Sequence, residues 1–304
     1  MDPPPSATRE STARMRPQAV PASQWVAVPA AADPLLQNLA IPADAPTRGM
    51  WSAAFTWPLN PLHLAVLPNG KVLGYGSTTN GAGLEGRILN LWDPALGTSA
   101  ASHQTNLTAQ PQDSFCSTAT LLTDGRLMIT GGNGRVSSLM YTPSTNSTAM
   151  STASLADERW YATMINLPDG RPLMLGGMAP FSERMQGNPD QSVAQGLASM
   201  TPEVYENGGW RALPGAYSRE AFGPDFLRAS YPRAWVMPGG KVFGVSAERL
   251  WQLDPTGIGA ITIFGAYKSA PSSNAADPLN VGATNGAAMF DIGKVLIAGG
   301  NGSY

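Results

Sequence analysis

The feature that most limits how this chain can fold is a short unit that occurs five times. An apolar run leads to a turn with glycine beside lysine or arginine. A second apolar run follows, and a glycine pair usually closes the unit. The copies are Leu64 to Gly76 (LAVLPNGKVLGYG), Thr118 to Gly132 (TATLLTDGRLMITGG), Thr163 to Gly177 (TMINLPDGRPLMLGG), Ala234 to Val245 (AWVMPGGKVFGV) and Ala287 to Gly300 (AAMFDIGKVLIAGG). The chemistry is that of a β-hairpin. Asn-Gly and Asp-Gly turns supply the positive φ of a tight reversal. Runs that are apolar on both faces suit strands packed between neighbouring sheets. The trailing Gly-Gly lets one backbone approach another.

The turn glycines Gly70, Gly125, Gly170, Gly240 and Gly293 lie 55, 45, 70 and 53 residues apart. A third strand follows several hairpins, at Ile88 to Asp93, Leu139 to Pro143, Glu203 to Glu206 and Arg249 to Asp254. A period near 50 residues with about four strands per unit predicts an all-β, kelch-like β-propeller of four-stranded antiparallel blades. A β-sandwich would not repeat so regularly, and a β-helix has a much shorter period. About five to six blades are expected, with five successive four-stranded sheets and almost no helix. The spacing of 70 implies an insertion, assigned to Met178 to Pro202.

Composition agrees with short strands and turns. Of 304 residues, 43% are hydrophobic and only 13% charged, with 33 glycines and 27 prolines. That low charge is about half the usual share. A net charge of −2 gives no electrostatic support for nucleic-acid binding. No apolar run approaches the roughly 18 residues needed to span a bilayer. Residues 1–46 read as a disordered Pro/Ser/Ala-rich segment without the apolar stretch of a secretory signal. The propeller is expected over 47–304, truncated before closure. One cysteine, Cys116, excludes an intrachain disulfide and leaves a thiol that is either buried and apolar or reactive.

Two places depart from the plain repeat. Asp113-Ser114-Phe115-Cys116 precedes the second hairpin, and Arg159-Trp160-Tyr161-Ala162-Thr163 precedes the third. Both occupy one phase of consecutive blades, and equivalent positions on neighbouring blades lie close together around a propeller axis. Cys116 and Tyr161 are therefore expected to meet.

These stretches resemble the copper-radical oxidases, the galactose oxidase and glyoxal oxidase-like family. Phe115-Cys116 leading to Thr130-Gly131-Gly132-Asn133 is similar to that family's cysteine blade. Arg159-Trp160-Tyr161 with Pro168-Asp169-Gly170-Arg171 and Gly176-Gly177 resembles the glyoxal oxidase form of the next blade. Trp92-Asp93-Pro94 and Asn285 to Asp291 also match family stretches, and the likeness runs from about Trp51 to Tyr304. The resemblance implies a thioether between Cys116 and Tyr161, Tyr161 as a copper ligand carrying a radical, and Phe115 as a supporting aromatic. It implies oxidation of a glyoxal-type aldehyde or a primary alcohol by O2, giving hydrogen peroxide. Phenolate and imidazole ligands suit copper.

The departures are specific. The family's second tyrosine is followed directly by histidine, and another histidine comes later. This chain has no Tyr-His pair, and its two histidines, His63 and His103, lie upstream of Cys116. Neither His63 nor His103 matches a family ligand, and both read as structural or exposed. The family's covering tryptophan follows a Gly-Gly, where Met178 stands here. Galactose is therefore a poor expected substrate. Trp160 reads as blade packing, and Arg159 as either a structural ion pair or a site residue. Asn106-Leu107-Thr108 and Asn146-Ser147-Thr148 fit glycosylation triplets, which are common by chance. The alternative function is a non-catalytic kelch propeller that binds protein or carbohydrate. The family tends to be secreted, and the compartment of this chain stays open.

Overall fold

In a computed structural model of the chain the described residues are 33, 35–36, 39–78, 85–106, 110–180, 194–224, 226–267 and 285–298. The chain divides into two units, Met1–Ala53 and Ala54–Tyr304. The segment expected to be disordered, 1–46, lies mostly outside the described residues. In the first unit a single helical turn, α1 (Ala45–Arg48), has proline in its first turn and is closed by the Gly49 N–H donating to the Ala45 carbonyl.

The second unit is built from β-sheets whose strands follow chain order. The first four-stranded sheet is β1 (Leu59–Val66), β2 (Val72–Thr78), β3 (Ile88–Trp92) and β4 (His103–Asn106). The second is β5 (Ser117–Leu121), β6 (Leu127–Gly131), β7 (Ser138–Thr142) and β8 (Ser147–Met150). The third is β9 (Thr163–Asn166), β10 (Pro172–Leu175), β11 (Glu203–Glu206) and β12 (Gly209–Ala212). The fourth is β13 (Arg233–Val236), β14 (Val242–Ser246), β15 (Arg249–Asp254) and β16 (Ala260–Ala266). A two-stranded sheet of β17 (Gly286–Asp291) and β18 (Lys294–Ala298) comes last. All pairings are antiparallel. The architecture is a β-propeller. Four units carry the expected four strands and the fifth is described as a hairpin.

The hairpin turns use less left-handed backbone than the Asn-Gly and Asp-Gly dipeptides suggest. Gly70, Gly125, Gly170, Gly240 and Gly293 all have positive φ; of the residues before them Gly239 does too, while Asn69, Asp124, Asp169 and Ile292 do not. Asn69, Asp124 and Asp169 instead accept, through Oδ1, the N–H of the residue two positions on. In the first turn the Leu67 N–H donates to the Lys71 carbonyl at 2.8 Å. The three Asx-Gly loops are thus three residues long with one left-handed glycine, a form that keeps the strand twist.

Burial explains the doubly apolar strands. Along β6, Leu127 and Ile129 pack with Leu73, Tyr75 and Leu91 of the first sheet. Met128, between them, packs with Met164 and Met174 of the third. Along β10, Leu173 and Leu175 face Val242, Trp251 and Leu253 of the fourth sheet, while Met174 faces back. Successive side chains point to opposite faces, so a strand covered on both faces must be apolar throughout. The first strands of successive blades also touch, β5 with β9 and β9 with β13. That brings their leading turns together.

The excess length between the third and fourth hairpins is shared. The ends of the predicted insertion, 178–180 and 194–202, are described, and 181–193 lie outside the described residues. Met178 bridges Trp160 on one side and Ala198 on the other. The rest of the excess is a segment that hairpin periodicity does not reveal: α2 (Arg219–Phe222) and α3 (Phe226–Ala229). Ser218 caps α2 by accepting the Ala221 N–H, and Ala221, Phe222 and Ala229 are fully buried. No helix among the described residues is long and apolar enough to cross a membrane.

Candidate functional site: a thiol and a phenol on adjacent blades

Three non-glycine residues sit in the left-handed backbone region just before the first strands of three successive blades. They are Cys116 (φ 58°), Tyr161 (φ 60°) and Tyr231 (φ 48°). Side chains other than those of Gly, Asn and Asp seldom adopt this region, because Cβ crowds the backbone. Here the strain is held by hydrogen bonds that run from blade to blade. The Tyr161 N–H donates to the Cys116 carbonyl at 3.1 Å, and the Tyr231 N–H donates to the Tyr161 carbonyl at 2.8 Å.

The glycine pair of the second blade abuts the first two turns. The Gly132 N–H donates to the Arg159 carbonyl, and the Asn133 N–H to the Phe115 carbonyl, at 2.8 and 2.9 Å. A Cβ on Gly131 would stand 2.2 Å from the Arg159 oxygen, and one on Gly132 would stand 2.3 Å from the Phe115 oxygen. Close backbone approach is thus what the Thr-Gly-Gly-Asn stretch provides, as its sequence implied.

Each turn has its own polar anchor. Asp113 Oδ1 accepts the N–H groups of Gly86 and Phe115, and Oδ2 accepts from the Asn133 side chain. Arg159 is fully buried and pairs with buried Glu203 at 2.7 Å. Its guanidinium also donates to the carbonyls of Gly176, Ser199 and Thr201, and Glu203 accepts the Ala156 N–H as well. Of the two expectations for Arg159, the structure shows the ion pair. That pair ties the end of the insertion to the Tyr161 turn.

The structure brings Cys116 and Tyr161 together side chain to side chain. The Tyr161 side chain packs on the buried cluster that holds Cys116, close enough for the phenol to act on the thiol. Burial pushes the Cys116 thiol up to about 12; the hydrogen bond to Tyr161 pulls it down, and the Asp113 charge adds to the rise. The thiol is therefore neutral and poorly nucleophilic at neutral pH. Phe115 packs against the buried cluster that contains Cys116 and Trp160. The Trp160 ring stacks on Tyr161 with centroids 3.8 Å apart at 18°. Trp160 thus does more than pack the blade: it covers the phenol.

Tyr231 was not singled out by sequence reading. Its ring lies 4.9 Å from that of Tyr161 at 31°, and Phe226 meets Tyr161 edge-on at 6.0 Å. The signal that could have found it is its phase, one blade on from Tyr161. The helical segment before it obscured that phase.

The histidines lie in the first blade. His63 on β1 stacks on Tyr75 at 4.8 Å, and its burial lowers its pKa to about 4. His103 on β4 has Nδ1 2.8 Å from Asn90 Oδ1. Among the described residues no group of three or more His, Cys, Asp and Glu side chains is placed to hold a metal. The donor set beside Tyr161 is one phenol and one thiol, so these residues do not by themselves fit a copper centre.

Comparison with known proteins places these residues in context. The family described as glyoxal oxidase N-terminus matches residues 97–201, which include Cys116 and Tyr161. A galactose oxidase from Gibberella zeae is 27% identical over 281 residues, covering 86% of this chain and 37% of the relative. A second galactose oxidase from Gibberella zeae matches equally. A fungal alcohol oxidase solved in complex with copper superposes with a TM-score of 0.62 at 18% identity, covering 84% of this chain and 50% of that one. The chain thus spans about a third of the length of the curated relatives it matches and half of that solved structure. The chain is therefore similar in sequence to galactose oxidase and, over residues 97–201, to the glyoxal oxidase N-terminus family, and it shares its fold with the copper-bound fungal alcohol oxidase.

Proposed function

We propose that this chain carries the sulfur–phenol half of a copper-radical oxidase site. Cys116 and Tyr161 form the reacting pair, with Phe115, Trp160 and Arg159 around it and Tyr161 as the one copper ligand within the described residues. The substrate class is a glyoxal-type aldehyde or a primary alcohol, with O2 as the oxidant and hydrogen peroxide as the reduced product. One observation carries the reading: Cys116 and Tyr161, on adjacent blades, are joined backbone to backbone at 3.1 Å and packed in one cluster, inside the stretch matched to the glyoxal oxidase family. Inter-blade packing requires apolar contact there, not a thiol facing a phenol.

Joining the pair would remove the thiol hydrogen and one ring hydrogen. The two electrons would go to O2, giving hydrogen peroxide. Among the described residues no group of His, Cys, Asp and Glu side chains is placed to complete a copper site, so turnover is assigned to a protein with additional blades.

The test exposes the purified chain, and a version carrying further blades after Tyr304, to copper and air. Intact mass should fall by two hydrogens in a Cys116-dependent way. With glyoxal, methylglyoxal and primary alcohols, the extended protein should make peroxide, and Tyr161→Phe should abolish it. The 304-residue chain alone should not turn over. An extended protein that neither binds copper nor loses two hydrogens would replace this reading with that of a non-catalytic propeller.

A further inference from the structure

We propose that Tyr231 is a positioning residue for the Cys116–Tyr161 pair: it holds the Tyr161 ring against Trp160, so that the phenol hydroxyl stays on the thiol. This rests on the reading of Cys116 and Tyr161 as a chemical pair and adds a residue to it.

The ring geometry carries the argument. Trp160 and Tyr231 both lie nearly parallel to Tyr161, at 18° and 31°, with centroid separations of 3.8 and 4.9 Å. Two rings that close and that parallel cannot share one face of a phenol, since ring thickness alone is about 3.5 Å. Trp160 and Tyr231 therefore flank Tyr161 on opposite faces, and Phe226 closes an edge. A ring stacked on both faces cannot rotate about its Cα–Cβ bond without displacing a neighbour. The hydroxyl position follows from that constraint.

Tyr231 is itself firmly held. Its N–H bonds the Tyr161 carbonyl, and Pro232 follows it directly and packs close to Gly176. The Arg233 guanidinium lies 5.7 Å from the Tyr231 ring centroid and also donates to the Asn285 carbonyl at the start of the next blade. A cation over a ring face is favourable and adds to the hold. The left-handed backbone at Tyr231 costs on the order of 1 kcal/mol or more.

The experiment reads the thiol in the metal-free chain. Cys116 is the only cysteine, so a thiol reagent gives a single signal. Tyr231→Asn removes the ring while keeping a residue that tolerates the left-handed region. Tyr231→Phe keeps the ring. In the Asn variant the native-state labelling rate at about pH 8 should rise about tenfold, while Tyr231→Phe stays within about twofold of the parent. Trp210→Leu, which breaks the remote Tyr205–Trp210 pair, serves as the control for lost stability. It should leave labelling unchanged when matched to Tyr231→Asn by urea midpoint.

Parent-like labelling in folded Tyr231→Asn overturns the proposal, as does equal unmasking in Trp210→Leu. Labelling needs no copper, so it stays readable if the oxidase reading fails. Conversely, loss of two hydrogens on copper treatment combined with parent-like labelling in Tyr231→Asn sinks the positioning role alone.

Discussion

The Cys116 turn and the Tyr161 turn have the same backbone and different foundations. Both residues are left-handed, both precede the first strand of a blade, and one hydrogen bond joins them. The Cys116 turn rests on Asp113, a partly exposed carboxylate that accepts from two nearby N–H groups and one amide. The Tyr161 turn rests on Arg159 and Glu203, a buried ion pair 44 residues apart that also gathers carbonyls from the inserted segment. One turn is therefore tied by a partly exposed carboxylate to chain 27 residues before it and 20 after it, and the other by a buried ion pair to chain 44 residues on. Equal geometry at two repeat positions does not mean equal dependence on the rest of the molecule.

The glycine pair between the turns offers the strongest way to break both at once. Gly131→Ala and Gly132→Ala each force a Cβ to within 2.2 or 2.3 Å of a carbonyl oxygen on backbone with positive φ. Each should cost more than about 4 kcal/mol, seen as loss of the cooperative urea transition. Gly131→Ala should disturb the Tyr161 turn first and Gly132→Ala the Cys116 turn, which hydrogen exchange at Tyr161 and Asn133 would separate.

Removing one partner of the ion pair breaks only the Tyr161 turn. Arg159→Met should cost about 3–5 kcal/mol, because Glu203 is left charged and buried. The double variant Arg159→Met with Glu203→Gln should recover part of that loss in the urea midpoint. If the single variant lost less than the double, the pair would not be the foundation described above.

Asp113→Ala acts on the other turn and should cost less, about 2 kcal/mol, the range of hydrogen bonds to a charged group. Native-state labelling of Cys116 should speed up in this variant, and the Tyr161 turn should keep its hydrogen-exchange protection.

The smallest effect distinguishes the two side chains by pH. The Cys116 thiol is raised from 9.0 to about 12 in the fold, so folding favours its protonated form. Its contribution to stability is full below pH 9 and is lost as pH rises from 9 toward 12, because the unfolded chain gives up the proton first. The difference in stability between the parent and Cys116→Ala should therefore shrink over that window, and a flat difference would show the thiol to be hydrated. His63 provides the opposite sign: lowered to about 4, it contributes stability above 6.5 that is lost as pH falls toward 4.

Local pattern carried much of this architecture. Five hairpins, their turn glycines and the third strands from Ile88, Leu139, Glu203 and Arg249 all appear where apolar runs and Asx-Gly turns placed them. Those signals act within a few residues, so they can be read one unit at a time. The juxtaposition of Cys116 with Tyr161 was legible for a related reason: in a repeat fold, equal phase means nearness in space.

What the sequence determined by itself was the repeat, and through it the phase at which a thiol and a phenol face one another. Tertiary structure decided what holds them. Arg159 chose Glu203 because burial leaves a guanidinium no water, so it must find the carboxylate and carbonyls that the folded insertion brings. Trp160 and Tyr231 flank Tyr161 because three blades converge there, and ring stacking leaves no trace in the spacing of residues 160, 161 and 231. Contacts made across blades depend on how sheets pack, and that information exists only once neighbouring blades have packed together.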